Sequence, residues 1–525
     1  MTDSEQTSQA PRRRKRRSRL SPGNDPDGET TAVQPPVWPG MAGGRFQPLG
    51  KQDLAKFHTA IFEVLANTGL SEASEAVVEK VLEGGGTVSG DGRLLFPPEL
   101  VERALKGFNR HFSLHGQQPG HELRLEGTNV YMGSGGAAPG IVDLDSGLYR
   151  DSTLGDLYAA ARLVDKLQNV HFFSRSLVAR DMPDDQTLDI NTAYACLCGT
   201  SKHVCVSATN AENAKAIAEM CFQIAGSRQA FIDRPFLSFN INHVTPPLRF
   251  AADACAVLEQ AALLGIPAHA NVFGQVGASS PVSLAGAVVQ SMAEAIAGGI
   301  YAWLVNPEAK VIFGPKPMIT DLRTGGMSGG GGEQAAVMAA ATQMAQYYDL
   351  PNVSIAGASD SKVSDAQSGY EKSLSVTLAA HAGSNMITQA CGMQASLMSC
   401  ALESYVVDND MLGAIMSSLR PLPVDAASLS TTQIDRVART EGHFLGEAET
   451  YAQMKTDFLY PEIADRRTPR EWEDDGQPDV REVAKQRTRE ILKSHFPDHI
   501  DPSTDATLRN MFDIRLPEKS MKAEN

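Results

Sequence analysis

This 525-residue sequence predicts an α/β chain folded as a (β/α)8 TIM barrel, with an N-terminal helical cap and a C-terminal helical extension. Two observations lead there. Between residues 126 and 425, short apolar runs alternate eight times with Ala-rich helical stretches, the count a closed parallel barrel requires. An open doubly wound sheet would show a Gly-rich phosphate turn leading into a helix after its first strand. Here Ser134-Gly135-Gly136 runs instead into Asp143-Leu-Asp-Ser-Gly147, which reads as a hairpin turn.

The elements follow in order. Residues 1–44 are rich in Arg, Pro, Ser, Asp and Gly and read as a disordered tail. Residues 45–125 form the cap. Leu54, Phe57, Ile61 and Leu65 recur at helical spacing, a second helix follows Ser71, and a third starts at Pro97-Pro98. The eight predicted strands cover 130–133, 170–174, 203–207, 236–240, 268–272, 310–314, 352–356 and 385–389, with helices between them. Residues 426–525 are charged and helical, an extension packed on the barrel or on a neighbouring subunit.

A net charge of −15 argues against wide nucleic-acid contact. The basic run Arg12 to Arg17 reads as a solvated tail, and without an apolar stretch behind it is not a secretory signal. No uncharged apolar run long enough to span a bilayer stands out. Seven cysteines without a CxxC pair suggest reduced thiols and a cytoplasmic location, and no four-ligand metal pattern forms around His381 and Cys391.

In a barrel of this kind, chemistry gathers at the C-terminal strand ends. Those ends carry Ser174, Arg175, Ser207, Asn240, Asn242, His243, Asn271, Gln275 and Gln389, which predicts a polar pocket. Six glycines between 325 and 332 would let the backbone approach a ligand. Gly329, Gly330 and Gly331, at a helix start, are candidates for holding an anion or cofactor. Asp360 and Lys362 sit at the exit of the seventh strand and are candidate catalytic residues, while Asp365 suits the helix N-cap.

Several stretches resemble the trimethylamine methyltransferase family of corrinoid-dependent enzymes. They are Ser359-Asp-Ser-Lys-Val-Ser-Asp-Ala-Gln-Ser-Gly-Tyr-Glu-Lys372, Val311-Ile-Phe-Gly-Pro-Lys316, Gly442-His-Phe-Leu-Gly446 and Glu403-Ser-Tyr-Val-Val-Asp-Asn-Asp410. The resemblance spans roughly residues 46–475. It implies a TIM barrel, a methylated amine as donor, a corrinoid (cobalamin) carried by a separate protein as acceptor, no tightly bound cofactor of the chain's own, and a homo-oligomer. Relatives that demethylate trimethylamine use a pyrrolysine, expected around Gly357 and Ala358, and this sequence has none. A quaternary ammonium needs no such help, because removal of its methyl leaves a neutral amine. The expected substrate is therefore of the glycine betaine type.

Such a substrate needs aromatic faces for its cation, with Tyr131, Phe172, Phe239 and Phe273 as candidates. Its carboxylate needs donors, from Arg323, Lys362, His243 or the glycine loop. Asn240 and Gln389 complete the expected binding set. Two alternatives compete with this reading: a barrel lyase or aldolase using Lys362 as Schiff base, and a betaine-binding barrel without catalysis.

Overall fold

The structure, a computed structural model, describes residues 35–440 and 442–523. Three helices come first: α1 (Lys51–Glu63), α2 (Glu75–Glu83) and α3 (Pro98–Gly107). They bury Phe57, Ile61, Val77, Val81, Leu100 and Val101, the stripe that the helical spacing predicts. The expected tail, with its basic run Arg12 to Arg17, lies outside the described residues up to residue 34, and the part described beyond it is not all tail. Met41–Ala42 pairs antiparallel with Val130 and Asn129, and Met41 is buried.

Eight short strands lie within two residues of the predicted runs: β1 (Asn129–Met132), β2 (Phe172–Ser174), β3 (His203–Val206), β4 (Leu237–Ile241), β5 (Ala268–Val272), β6 (Val311–Pro315), β7 (Val353–Ile355) and β8 (Met386–Thr388). β2 to β6 pair in parallel in chain order. β7, β8 and β1 form a second parallel group. Single parallel bridges, Gly133 to Phe172 and Phe313 to Asn352, join the groups at both ends. Gly133 lies one residue past β1 and Asn352 one residue before β7.

A helix follows every strand. In order they are α4 (Leu154–Lys166), α5 (Asp185–Gly199), α6 (Ala211–Ala225) with the short α7 (Arg228–Asp233), α8 (Ala252–Leu264), α9 (Leu284–Val305), α10 (Gly332–Tyr347), α11 (Ala366–Ala382) and α12 (Leu402–Leu419). Their limits are written locally. Thr153, Asp184, Asn210, Ser283 and Asp365 cap N-termini with their side chains. Gly226, Gly265 and Gly383 end α6, α8 and α11 in the left-handed conformation. Between β1 and α4, Gly140–Val142 pairs antiparallel with Tyr149–Asp151, as the Asp143-to-Gly147 turn predicts.

α9 qualifies the expectation about apolar runs. By length and composition it could cross a membrane, but it carries Glu294, and 78% of its apolar window is buried within the fold. It is a core helix, and its glycines explain how closely it packs. A Cβ on Gly298 would lie 2.2 Å from the His243 Nε2, and one on Gly299 2.4 Å from the Phe313 ring.

Beyond α12 lie α13 (Thr431–Ala438), α14 (Ala448–Gln453), α15 (Pro469–Asp474), α16 (Val480–Ser494) and α17 (Pro502–Met511). α16 is fastened to α4 and α12. Arg162 on α4 donates to the His495 carbonyl at 2.8 Å, and Arg481 meets the buried Glu403 at 3.3 Å.

Gly298→Ala is expected to destabilise the fold despite the better helix propensity of alanine. Crowding His243 costs about 1–3 kcal/mol, against a propensity gain of about 1 kcal/mol. Chemical denaturation checks this; a stabilised variant would show that the imidazole simply moves aside.

Candidate functional site

Two-residue alternation decides which side chains enter the space the strands enclose. On β4 and its exit, Ser238, Asn240 and Asn242 share one side, while Leu237, Phe239 and Ile241 belong to the core facing the helices. On β5, His269, Asn271 and Phe273 face inward, and Ala268, Ala270 and Val272 face outward. β6 turns Ile312, Gly314 and Lys316 inward.

The lower interior is closed. Tyr131, Phe172, Cys205, Ile312, Val353 and Met386, one from each of six strands, pack with Leu114, Leu123 and Leu125. β3, β4 and β5 supply a polar bridge in which Ser238 Oγ lies 2.9 Å from both His203 Nε2 and His269 Nε2. Burial pushes the His203 imidazole down to about 4 and that of His269 well below its ordinary value, so both are neutral.

Above this floor, at the C-terminal strand ends, lies a cavity of about 190 Å³. Ser174, Arg175, Ser207, Asn240, Asn242, Asn271, Phe273, Lys316, Thr388, Gln389 and Leu397 line it. Asn240 Nδ2 donates to Ser174 Oγ at 3.0 Å and Asn271 Nδ2 to Asn240 Oδ1 at 3.4 Å. Gly314 makes room for Asn271, whose Oδ1 a Cβ there would meet at 2.3 Å. Gln389 holds a left-handed φ of 61°, a strained conformation for a residue with a side chain, which recurs at ligand sites.

The electrostatics are one-sided. Two cations, Arg175 and Lys316, line the cavity, and no carboxylate does. Neither side chain makes a hydrogen bond or ion pair with the described residues; Lys316 lies 5.2 Å from the centre of the Phe273 ring. Lys316 is only 1% exposed. Burial pushes its ammonium down to about 7 and also lowers Arg175. Unpaired buried cations are costly, and an anion bound in the cavity would offset that cost.

The expected residues divide accordingly. Of the expected pocket residues Ser174, Arg175, Ser207, Asn240, Asn242, Asn271, Phe273 and Gln389 line the cavity, and Gln275 does not. Tyr131 and Phe172 have inward parity but lie one layer too low, in the closed floor. Phe239 has the opposite parity to Asn240 and faces the helices. His243 is likewise buried outside the strands, its Nε2 2.9 Å from the Glu294 carbonyl. An aromatic cage is therefore not assembled; Phe273 is the one aromatic side chain in the lining. Arg323 sits on a hairpin tip, 89% exposed and paired with Asp321. Lys362 is exposed and donates to the Asp360 carbonyl at 2.6 Å, so it is not an amine presented to a pocket.

Asp360 and the glycine loop satisfy each other. The Asp360 carboxylate accepts from Ser328 Oγ at 2.8 Å, Gly329 N at 2.9 Å, Gly330 N at 3.4 Å and Ser396 Oγ at 2.7 Å. The loop N–H groups expected to hold an external anion thus hold an internal one. A Cβ on Gly329 would meet the Ala358 carbonyl at 2.3 Å, and one on Gly330 the Glu371 carboxylate at 2.3 Å. Close packing, not positive φ, requires glycine at both. Gly331 is the N-cap of α10.

Lys316 and Arg175 are what the sequence reading undervalued. Lys316 closes a stretch singled out for resemblance, and Arg175 directly follows β2. The signal available was a lone cation at the exit of an apolar strand, with the strand's inward parity in the case of Lys316.

Comparison with known proteins agrees with this architecture. The trimethylamine methyltransferase (MTTB) family profile matches residues 12–519. A glycine betaine methyltransferase of Desulfitobacterium hafniense (strain Y51) is 28% identical over 466 residues, covering 89% of this chain and 96% of the relative. The trimethylamine methyltransferase MttB of Methanosarcina thermophila is 30% identical over 455 residues, covering 86% and 93%. The solved monomethylamine methyltransferase of Methanosarcina barkeri shares the fold, with a TM-score of 0.50 at 12% identity over 85% of this chain and 89% of that one.

Asp360→Ala is expected to speed backbone hydrogen exchange at residues 328–331 selectively. Unchanged protection there would show that the loop does not depend on this carboxylate.

Proposed function

The chain belongs to the trimethylamine methyltransferase (MTTB) family, and on that premise we propose that it moves a methyl group from a glycine betaine-type quaternary ammonium compound to the corrinoid of a separate carrier protein. The eight parallel strands with their following helices are read as a (β/α)8 TIM barrel, with the reaction at its C-terminal mouth. The observation that carries the substrate assignment is the pair of unpaired cations, Arg175 and Lys316, in a cavity without a carboxylate. A simple methylammonium ion would be repelled there. A betaine brings its own anion.

In this reading Arg175 and Lys316 hold the carboxylate through charge-assisted hydrogen bonds. The same two charges repel the quaternary nitrogen and direct the methyl-bearing end away from them. Asn240, Asn242, Asn271 and Gln389 surround the ligand with amide dipoles, and Phe273 offers one aromatic face. Holding the methyl in one orientation and keeping water out are the chain's contributions to the barrier. No side chain has to donate a proton, since a neutral tertiary amine departs.

The corrinoid supplies the nucleophile that accepts the methyl group. The rim suits a docked carrier. Leu148, Leu322, Tyr370 and Met398, on segments that follow β1, β6, β7 and β8, are each more than 60% exposed. An aldolase reading through Lys362 has no support from its exposed, carbonyl-bound amine.

The direct test is incubation with reduced cobalamin and a panel of betaines, carnitine and trimethylamine, following the corrinoid absorbance. A carboxylate-bearing quaternary donor should react and trimethylamine should not. The reverse pattern, or binding without transfer, would overturn the assignment. Arg175→Ala should raise KM for the betaine by about 10–100-fold, the worth of a charged hydrogen bond.

Lys316 adds a pH dependence. The charged ammonium is the binding form, and its pKa near 7 means charge is lost as pH rises through that value. Betaine affinity should therefore fall by about 100-fold from about pH 6 to about pH 9. In Lys316→Met, calorimetric titration should show weaker binding with a flat pH profile.

A further inference from the structure

Between β8 and α12 the chain makes a tight hairpin, in which Met393 and Gln394 pair antiparallel with Cys400 and Ser399. At its tip Ala395, Ser396 and Leu397 take left-handed φ angles of 51°, 55° and 70° in succession. Hairpin turns commonly use that conformation, but glycine or asparagine normally supplies it. Three successive residues with side chains strain the backbone, and a bulky one among them is an outlier. The tip is nonetheless held fast. The Ser361 carbonyl accepts from the Ala395 N–H at 2.7 Å and the Ser359 carbonyl from the Ser396 N–H at 2.8 Å. Ser396 Oγ donates to the Asp360 carboxylate at 2.7 Å.

The strained tip places one side chain. Leu397 lines the cavity at the strand mouth, and it and Phe273 are the two large apolar side chains of that lining. Both pack on the buried Met318, Met338 and Ile355. The other lining residues lie on strands or within a few residues of a strand end, whereas Leu397 reaches in from the far end of the connection after β8. Its neighbour Met398 is 62% exposed, so the tip stands between the cavity and solvent. Strain of this kind recurs where a ligand is gripped.

The space behind Leu397 is small. A volume of about 190 Å³ is the share of roughly six water molecules at about 30 Å³ each. Resting on the betaine reading of this cavity, we propose that Leu397 is a specificity residue that limits the length of the methyl donor. The site takes a compact betaine, with a single carbon between ammonium and carboxylate, and refuses longer-chain betaines. With the carboxylate held by Arg175 and Lys316, each methylene added between the two charges drives the trimethylammonium group towards the rim and into Leu397. Glycine would suit the backbone of this turn better, and it would leave the cavity open on that side. The bulk of the leucine is what the hairpin holds in place.

The test titrates the full chain calorimetrically with trimethylammonioacetate and with its longer homologue trimethylammoniobutanoate, and compares the two Kd values. The unmodified chain should prefer the shorter compound by about 100-fold, the scale on which a closed apolar wall discriminates added methylenes. Leu397→Gly should cut that preference by about 10–100-fold, chiefly by tightening the longer compound, and Leu397→Met, which returns the bulk, should bring it back. Leu397→Ala keeps a Cβ in the turn and reads the same change if glycine loosens the hairpin. A purely structural role would weaken both compounds together and leave their ratio as it was; that outcome overturns the proposal, as does an unmodified chain that binds both equally well. Failure of the betaine reading itself has a different signature, with neither compound bound by the unmodified chain or by any of the variants, and it would remove this proposal with it.

Discussion

One buried ion pair governs how the mouth of the fold is held. Lys372 on α11 and Asp408 on α12 meet at 2.8 Å with side chains 0% and 4% exposed. Removing either partner would strand a charge in the core, at a cost of about 3–5 kcal/mol. The same Asp408 oxygen accepts the Gly392 N–H at 2.8 Å, which ties the loop after β8 to both helices. One residue before Lys372, Glu371 accepts from Ser359 Oγ and the Asp360 N–H, and Asp360 in turn gathers Ser328, Gly329 and Ser396. Segments leaving β6, β7 and β8 are thereby fixed to one framework. The stretch from Ser359 to Lys372 does this framework work and leaves the contact with substrate to other residues.

That rigidity lets the cavity tolerate its charges. Arg175 and Lys316 lie where burial disfavours the ionised form, and no carboxylate lines the cavity, although Asp189 favours the Arg175 charge without pairing with it. In a loose site such side chains would swing into solvent or recruit an acid. Here the amide chain from Ser174 through Asn240 to Asn271, the closed floor beneath it and the strained Gln389 hold the walls in place. In the proposed reading this charge becomes binding energy for an anionic group, and it sets the direction in which a zwitterion enters. Specificity against a plain methylammonium then rests on repulsion as much as on attraction.

The two ends of the chain meet different demands. α16 is bound to α4 and α12 by Arg162, Arg481 and His495, the last 2.7 Å from the Asp165 carboxylate, which serine and threonine donors and His495 hold well below the usual range. Residues 421–460 are tied back to the end of α12 by Arg420, which meets Thr456 and Asp457, while α13 and α14 hold one another through Glu447.

The amino-acid sequence alone determined the strand and helix count, the helix caps and the hairpin before α4. These are local signals: period-two and helical apolar spacing, Thr153, Asp184, Asn210, Ser283 and Asp365 at helix starts, and Gly226, Gly265 and Gly383 at helix ends. It also marked the polar character of the strand exits and eight cavity residues, Ser174, Arg175, Ser207, Asn240, Asn242, Asn271, Phe273 and Gln389. Only the tertiary structure decided depth and parity across strands. Those set Tyr131 and Phe172 in the floor, turned Phe239 and His243 away, left Arg323 and Lys362 in solvent, and brought Arg175 and Lys316 together across the mouth. The reason is physical: a strand's pattern says which residues share a face, but the layer each occupies depends on how neighbouring strands are staggered. That stagger is set by pairings between segments far apart in the chain, which no local pattern records.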